Sequence, residues 1–144
     1  MMTIKELSKY RDLKVEIPQL QDRITELEQT IVGSSKLTGM PSSGGTTSNP
    51  TERIGLKLVK LRTNLLKKME ELIDRETKIE DFLETVDDAK VRIIIRKRFF
   101  EGKSWNDIGR ELSFERTTPY YHLKKYLKER GAIDEKTKAS SWLI

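Results

Sequence analysis

Residues 104–127 read SWNDIGRELSFERTTPYYHLKKYL, and the spacing within this stretch decides the fold. Ser104 with Asp107 three places on forms an N-cap pair that opens a short helix from Trp105 to Leu112. Ile108 and Leu112 stand four apart on one face of that helix, and Gly109 beside them leaves room for a crossing helix. Ser113, Phe114 and Glu115 form a turn that drops Phe114 into the angle between two helices. The second helix is predicted from Arg116 to Glu129, with Pro119, Leu123 and Leu127 facing inward and Gly131 ending it. Two short helices closed around so small an interior match the pattern of a helix-turn-helix. An ordinary helical corner would use the same apolar spacing, so the outward residues have to separate the two readings.

With Pro119, Leu123 and Leu127 turned inward, the outward set near the helix start is Arg116, Thr117, Tyr120, Tyr121 and Lys124. Residues at the N-terminus of a recognition helix reach base edges in the major groove. Arginine can hold guanine bidentately, threonine can contact a base or a phosphate, and tyrosine can bond a phosphate or pack on a thymine methyl. Arg116, Thr117, Tyr120 and Tyr121 are therefore the expected base-reading residues. Ser104, Lys124, Lys125, Lys128 and Arg130 are the expected contacts to the DNA backbone. Two alternatives stay open: that Tyr120 or Tyr121 is buried instead, and that Pro119 moves the helix start to Thr118. The lone histidine, His122, is read as packed beside the core and not as a ligand or base.

Upstream, Asp87 is the expected cap of a helix reaching Phe100, with Val91, Ile94, Ile95 and Phe99 on one face and Gly102 as its stop. Before it lie two long helical segments. In the first, about Thr3 to Val32, the residues Tyr10, Leu13, Ile17, Leu20, Ile24, Leu27 and Ile31 alternate steps of three and four, a heptad seam. Pro18 interrupts the backbone ladder and implies either a kink or a second helix starting near Ile17. The other segment runs from about Pro50 to Glu84, with Asn49, Pro50 and Glu52 at its N-cap, N1 and N3 positions. Leu58, Leu61, Leu65, Leu72, Ile79, Phe82 and Val86 supply its stripe, which Leu66, Met69 and Ile73 widen toward a second neighbour. Between the segments, residues 33–50 are rich in glycine and serine and read as a flexible loop. Its Gly-Gly-Thr-Thr-Ser run lacks the lysine and the preceding strand of a phosphate loop.

The expected architecture is all-α: a long N-terminal helical hairpin, coiled-coil-like, followed by a compact C-terminal helix-turn-helix domain. Its parts are a helical arm over 1–86 with the loop at 33–50, the helix-turn-helix over 87–130, and a tail over 131–144. Neither long stripe has a core of its own, so each covers the other or a second subunit, which makes a homodimer through the arm an expectation.

Charge points toward the same end of the chain. From Ala89 to Ile144 there are 14 Lys and Arg against 7 Asp and Glu, a balance of +7. Residues 1–88 hold 14 against 16, or −2. All of the basic excess therefore lies in the C-terminal part, where it favours polyanions and phosphate contacts.

The run Phe99-Phe100-Glu101-Gly102-Lys103-Ser104-Trp105 leading into Ile108-Gly109-Arg110-Glu111-Leu112 resembles region four of bacterial primary sigma factors. A fuller similarity is to phage and prophage transcriptional regulators of Gram-positive bacteria, the sigma-like RinA and ArpU type. The specific likeness covers Asp87 to Lys128, while the arm is similar in style only. What the resemblance implies is control of phage late genes by binding double-stranded promoter DNA, with host RNA polymerase open as a second partner. By motif, the base-reading positions of sigma region four fall on Arg116, Thr117, Tyr120 and Tyr121. Arg116 keeps the family's residue. The other three depart from its usual acidic, basic and amide side chains, so the sigma promoter preference does not carry over, and Pro119 replaces a usual aliphatic.

Other classes find less support. No cysteine is present, so there is no disulfide framework or thiolate metal site, and no His/Asp/Glu spacing suggests another metal. A single histidine with no orienting acid near it in sequence makes catalysis unexpected, and no cofactor is implied. No run of about 20 apolar residues and no secretory leader is read, so the expected location is the cytoplasm of a bacterial host cell, on DNA. The rival readings are a helical adaptor, for example one binding RNA polymerase, and the DNA-recognition subunit of a phage packaging terminase. Terminase subunits usually carry their DNA module at the N-terminus, which counts against the second rival.

Overall fold

The computed structural model describes residues 1–36, 49–112 and 118–142. Among these the fold is all-α. Its elements are α1 (Ile4–Lys36), α2 (Pro50–Thr85), α3 (Ala89–Ile95) running on into a π-helical turn (Arg96–Phe100), α4 (Trp105–Glu111) and α5 (Thr118–Trp142). The chain divides into two compact units, one of Leu13–Ile73 and the other of Met1–Asp12 with Asp74–Ile144.

In the unit of Leu13–Ile73, the seam is used within the chain. Ile24, Leu27 and Leu58 form its buried cluster, with Leu20, Ile31, Ile54, Leu61 and Leu65 packed against them. Glu28 pairs with Arg62 at 2.8 Å and Glu16 with Lys68 at 3.0 Å, so α1 and α2 run in opposite directions here. Both pairs are exposed, and at about 0–1 kcal/mol each they set register more than stability. α1 runs unbroken through Pro18, so of the two options for that residue the separate second helix is not formed. Pro18 is exposed while Leu13, Ile17 and Ile24 around it are buried. Burial of that stripe outweighs one lost backbone hydrogen bond.

Helix boundaries follow local chemistry. Thr3 caps α1, its hydroxyl accepting from the Glu6 N–H at 3.1 Å. Asn49 caps α2 as its position predicts, with Oδ1 accepting from the Thr51 N–H at 3.0 Å. Part of the loop expected over 33–50 is helical, because α1 continues to Lys36. Residues 37–48, including the Gly-Gly-Thr-Thr-Ser run, lie outside the described residues.

The other unit has a larger interior. Leu7, Tyr10, Ile79, Leu83 and Val86 are buried, as are Val91, Ile94, Ile95, Phe99, Ile108, Pro119, Leu123 and Leu127. Burial, followed by the nearby charge and hydrogen-bond acceptance of Glu76 and then Glu80, pushes the Tyr10 phenol up to about 12. The tyrosine thus donates to a carboxylate from inside the core.

α3 is capped by Asp88 and not by Asp87. Asp88 stands immediately before the first helical residue with the extended backbone of a cap (φ −84°, ψ 108°), and its carboxylate accepts from Lys90 N at 2.9 Å and Val91 N at 3.4 Å. Gly102 stops the following turn with φ +74°, a left-handed conformation that glycine adopts without strain. Gly131, by contrast, does not end its helix, since α5 continues to Trp142. It is buried, and a Cβ there would stand 2.7 Å from Met1 Cε, so its small size serves packing. The residues expected as a tail are helical to Trp142, while Leu143 and Ile144 lie outside the described residues.

Burial alone would raise the Asp88 carboxyl, yet hydrogen bonds from Val91 N–H, His122 and Lys90 N–H together hold it below its ordinary value. Its contribution is therefore complete above the unfolded-state pKa and lost as pH falls through the depressed folded value. Asp88→Ala should cost about 1 kcal/mol at neutral pH. Thermal melts across an acid series should show that difference shrinking as pH falls below 3.8, whereas a difference that does not change with pH would contradict the role of the charge.

Candidate nucleic-acid interface

α4 begins where Ser104 Oγ accepts from the Asp107 N–H at 3.1 Å, the cap its sequence predicts. Ile108 and Gly109 are its buried residues, and Leu112 is half-buried at its end. α4 and α3 both contact α5. α5 starts at Thr118, with Pro119 fully buried in its first turn. Proline suits that position because the N–H it lacks would have no helical partner there.

From this start α5 is two-sided. Pro119, Leu123, Leu127 and Gly131 are buried. Tyr121 is 61% exposed, and Lys124, Lys125, Lys128 and Glu129 are exposed with it. Of the residues expected to read bases, Tyr121 therefore faces solvent. Tyr120 is half-buried, its ring 5.4 Å from Trp105 and 5.5 Å from Tyr121, both near-perpendicular. Arg116 and Thr117, with the turn of Ser113, Phe114 and Glu115, lie outside the described residues.

Among the expected backbone contacts, Lys124, Lys125 and Lys128 share the exposed side of α5. Lys124 Nζ also lies 5.9 Å from the centre of the Tyr120 ring. Arg130 is engaged elsewhere. Its guanidinium donates to the Thr85 carbonyl at 3.2 Å and Thr85 Oγ1 at 3.0 Å, and sits 5.6 Å over the Phe82 ring. It ties α5 to the end of α2. His122 Nε2 is 3.1 Å from Asp88 Oδ2, which joins α5 to the cap of α3 in the half-buried border of the core.

Two features escape the pattern reading. The first is an aromatic run through the unit. Phe99 meets Trp105 edge-on at 6.3 Å, Trp105 meets Tyr120, and the Arg98 guanidinium lies 4.8 Å over the Trp105 ring. Arg98 also donates to the Lys103 carbonyl at 3.1 Å, and its pKa is lowered first by burial and then by the nearby charge of Arg11. The second is a charge clamp in which Glu111 accepts from Lys103 Nζ at 2.6 Å and from Lys97 Nζ at 2.5 Å. The hydrogen bond from Lys103, then that from Lys97, hold Glu111 down at about 2 against the opposing effect of desolvation. Two cations of the basic excess are thereby paired within the unit. The spacing of Lys97, Lys103 and Glu111 is not a helical one, so periodicity gives no signal for it; only the turn at Gly102 brings them together.

Among the described residues, no group of three or more His, Asp or Glu could hold a metal ion, and no helix is long and apolar enough to cross a membrane. The family described as "Protein of unknown function (DUF1492)" matches residues 31–130, well over half of the chain, and the chain belongs to it. No curated protein and no solved structure matches it.

The clamp has a pH signature. With its folded pKa depressed, Glu111 stabilises fully above its unfolded value of 4.5, and that stabilisation is lost as pH falls toward about 2. The melting temperature of Glu111→Gln should therefore lie below that of the parent at neutral pH and converge with it between those limits. Parallel curves across the whole range would mean that the clamp contributes nothing.

Proposed function

We propose that this member of the DUF1492 family is a sequence-specific DNA-binding transcriptional regulator in which α4 and α5 act as a helix-turn-helix. One observation supports it above the rest: α5 buries Pro119, Leu123 and Leu127 on one side and offers Tyr121, Lys124, Lys125 and Lys128 on the other. A helix held by one face only has its opposite face available to a groove. That face belongs to the stretch carrying the whole basic excess, which suits a polyanion.

In this reading Arg116 and Thr117, which precede α5 in sequence, and Tyr121 on α5 reach base edges, and Lys124, Lys125 and Lys128 farther along meet phosphates. Tyr120, held edge-to-face between Trp105 and Tyr121, orients the reading face more than it reads. Ser104 is occupied as a cap, but an exposed hydroxyl at a helix start can still donate to a phosphate. The likeness to sigma region four and to RinA and ArpU regulators supports a phage or prophage late promoter as the target, read in the bacterial cytoplasm. It also leaves host RNA polymerase as a second partner. No catalytic step belongs to this proposal.

The adaptor reading keeps one specific point in its favour, the exposed apolar side chains along α2. Base reading separates the two. Selection from a library of random-sequence duplexes should enrich a motif. On the enriched duplex Arg116→Ala should weaken binding by about 1–3 kcal/mol and Tyr121→Ala by a comparable amount, with little effect on shuffled DNA. Lys128→Ala should instead weaken every duplex alike and flatten the salt dependence by about one phosphate contact. No enriched motif, or equal losses on all duplexes for all three variants, would leave only the adaptor.

A further inference from the structure

α2 shows solvent a second apolar stripe, on the side away from Leu58, Leu61 and Leu65. Leu56, Val59, Leu66 and Ile73 are each at least 60% exposed, and Met69 lies beside them. Steps of three, seven and seven separate the first four, with Thr63 and Glu70 filling the places between. This is a heptad seam interrupted by two polar residues. Exposed apolar side chains scattered singly are ordinary on a protein surface, but a row at heptad spacing on one helix face is the form a helical partner fits.

The charges beside the stripe identify the partner. From residue 57 to residue 68 the ionisable side chains are Lys57, Lys60, Arg62, Lys67 and Lys68, with no acid among them. Glu70 and Glu71 follow at once. Arg62 and Lys68 pair with Glu28 and Glu16 of α1, while Lys57, Lys60 and Lys67 are exposed. A helix basic at one end and acidic at the other is its own complement when reversed. Laid parallel, two copies would set like charges side by side. Laid antiparallel about a two-fold axis at Leu66, they set Val59 of each across from Ile73 of the other and Thr63 across from Met69, which brings Lys60 of each within one position of Glu71 of the other. Such an interface is isologous, so each contact occurs twice and the assembly closes at two copies. Polar residues within the seam, here Thr63 and Glu70, favour one register over its neighbours.

We propose that this face of α2 is a self-docking surface on which a second copy of the chain lies antiparallel. The inference does not rest on DNA reading, and it differs from association through the first seam, whose Leu20 and Leu65 are used within the chain.

Sedimentation equilibrium of the full chain without DNA tests it. The parent should dimerise at micromolar concentration, and Leu66→Asp should abolish the dimer. Val15→Asp, at an exposed apolar site on α1, should leave it intact. Lys60→Glu and Glu71→Lys should each raise the dissociation constant about tenfold, and the doubly reversed chain should return to within a few-fold of the parent. All substituted positions are exposed or partly so, and circular dichroism reports whether each variant keeps its helices. A parent that is monomeric throughout, a dimer indifferent to Leu66→Asp, or a double reversal weaker than either single change would overturn the proposal. In the first case the stripe would be left to a different helical protein.

Discussion

One-sided burial of α5 is the constraint on which the functional account depends. Leu123 is fully buried and Leu127 nearly so, while two lysines lie between them in sequence at positions that face water. Seating an aliphatic side chain in this way contributes roughly 1.5–3 kcal/mol, enough to fix the helix's rotation about its own axis. Once the rotation is fixed, the chemistry of the exposed face follows without further choice. Pro119 strengthens the constraint from the start of the helix, and the His122–Asp88 and Arg130–Thr85 contacts fasten its flanks. None of these residues needs to touch a ligand to decide what the helix presents.

The unit of Leu13–Ile73 obeys the opposite logic. Its helices are too polar for a thick core, so each buries a narrow stripe against the other and leaves most of its circumference in water. The ion pairs along it add little stability but set direction and register. Because one narrow stripe satisfies α1, the opposite side of α2 is left with apolar residues that the fold itself does not use.

Much of this was legible in the sequence wherever a single residue type answers a single backbone need. Ser104 and Asn49 accept from orphan amides at helix starts, and Gly102 adopts a left-handed turn. The apolar periodicity found Val91, Ile94, Ile95, Phe99, Ile108, Leu123 and Leu127 because burial repeats with the helix. The misses share a different cause. Asp87 and Asp88 are chemically identical, and only the start of α3 at Ala89 makes Asp88 the cap. Gly131 has the composition of a stop, but α5 continues through it, and its small size makes room for Met1, far away in sequence. Pro18 is tolerated because the other side of its helix is buried. Arg130 and the Glu111 clamp depend on partners that no periodic pattern relates. On the candidate interface, the sequence could nominate Tyr121 and the lysines as outward. It left open whether Tyr120 is buried and gave no sign that Trp105 is its neighbour.

Amide-resolved NMR of the full chain, with and without a random-sequence DNA duplex at low salt, probes the exposed side of α5 most directly. The amides of Tyr121, Lys124, Lys125 and Lys128 should shift on DNA addition, while those of Leu20, Leu27 and Leu65 stay in place. Shifts confined to Leu13–Ile73, or a spectrum that DNA leaves unchanged, would contradict DNA binding by this helix.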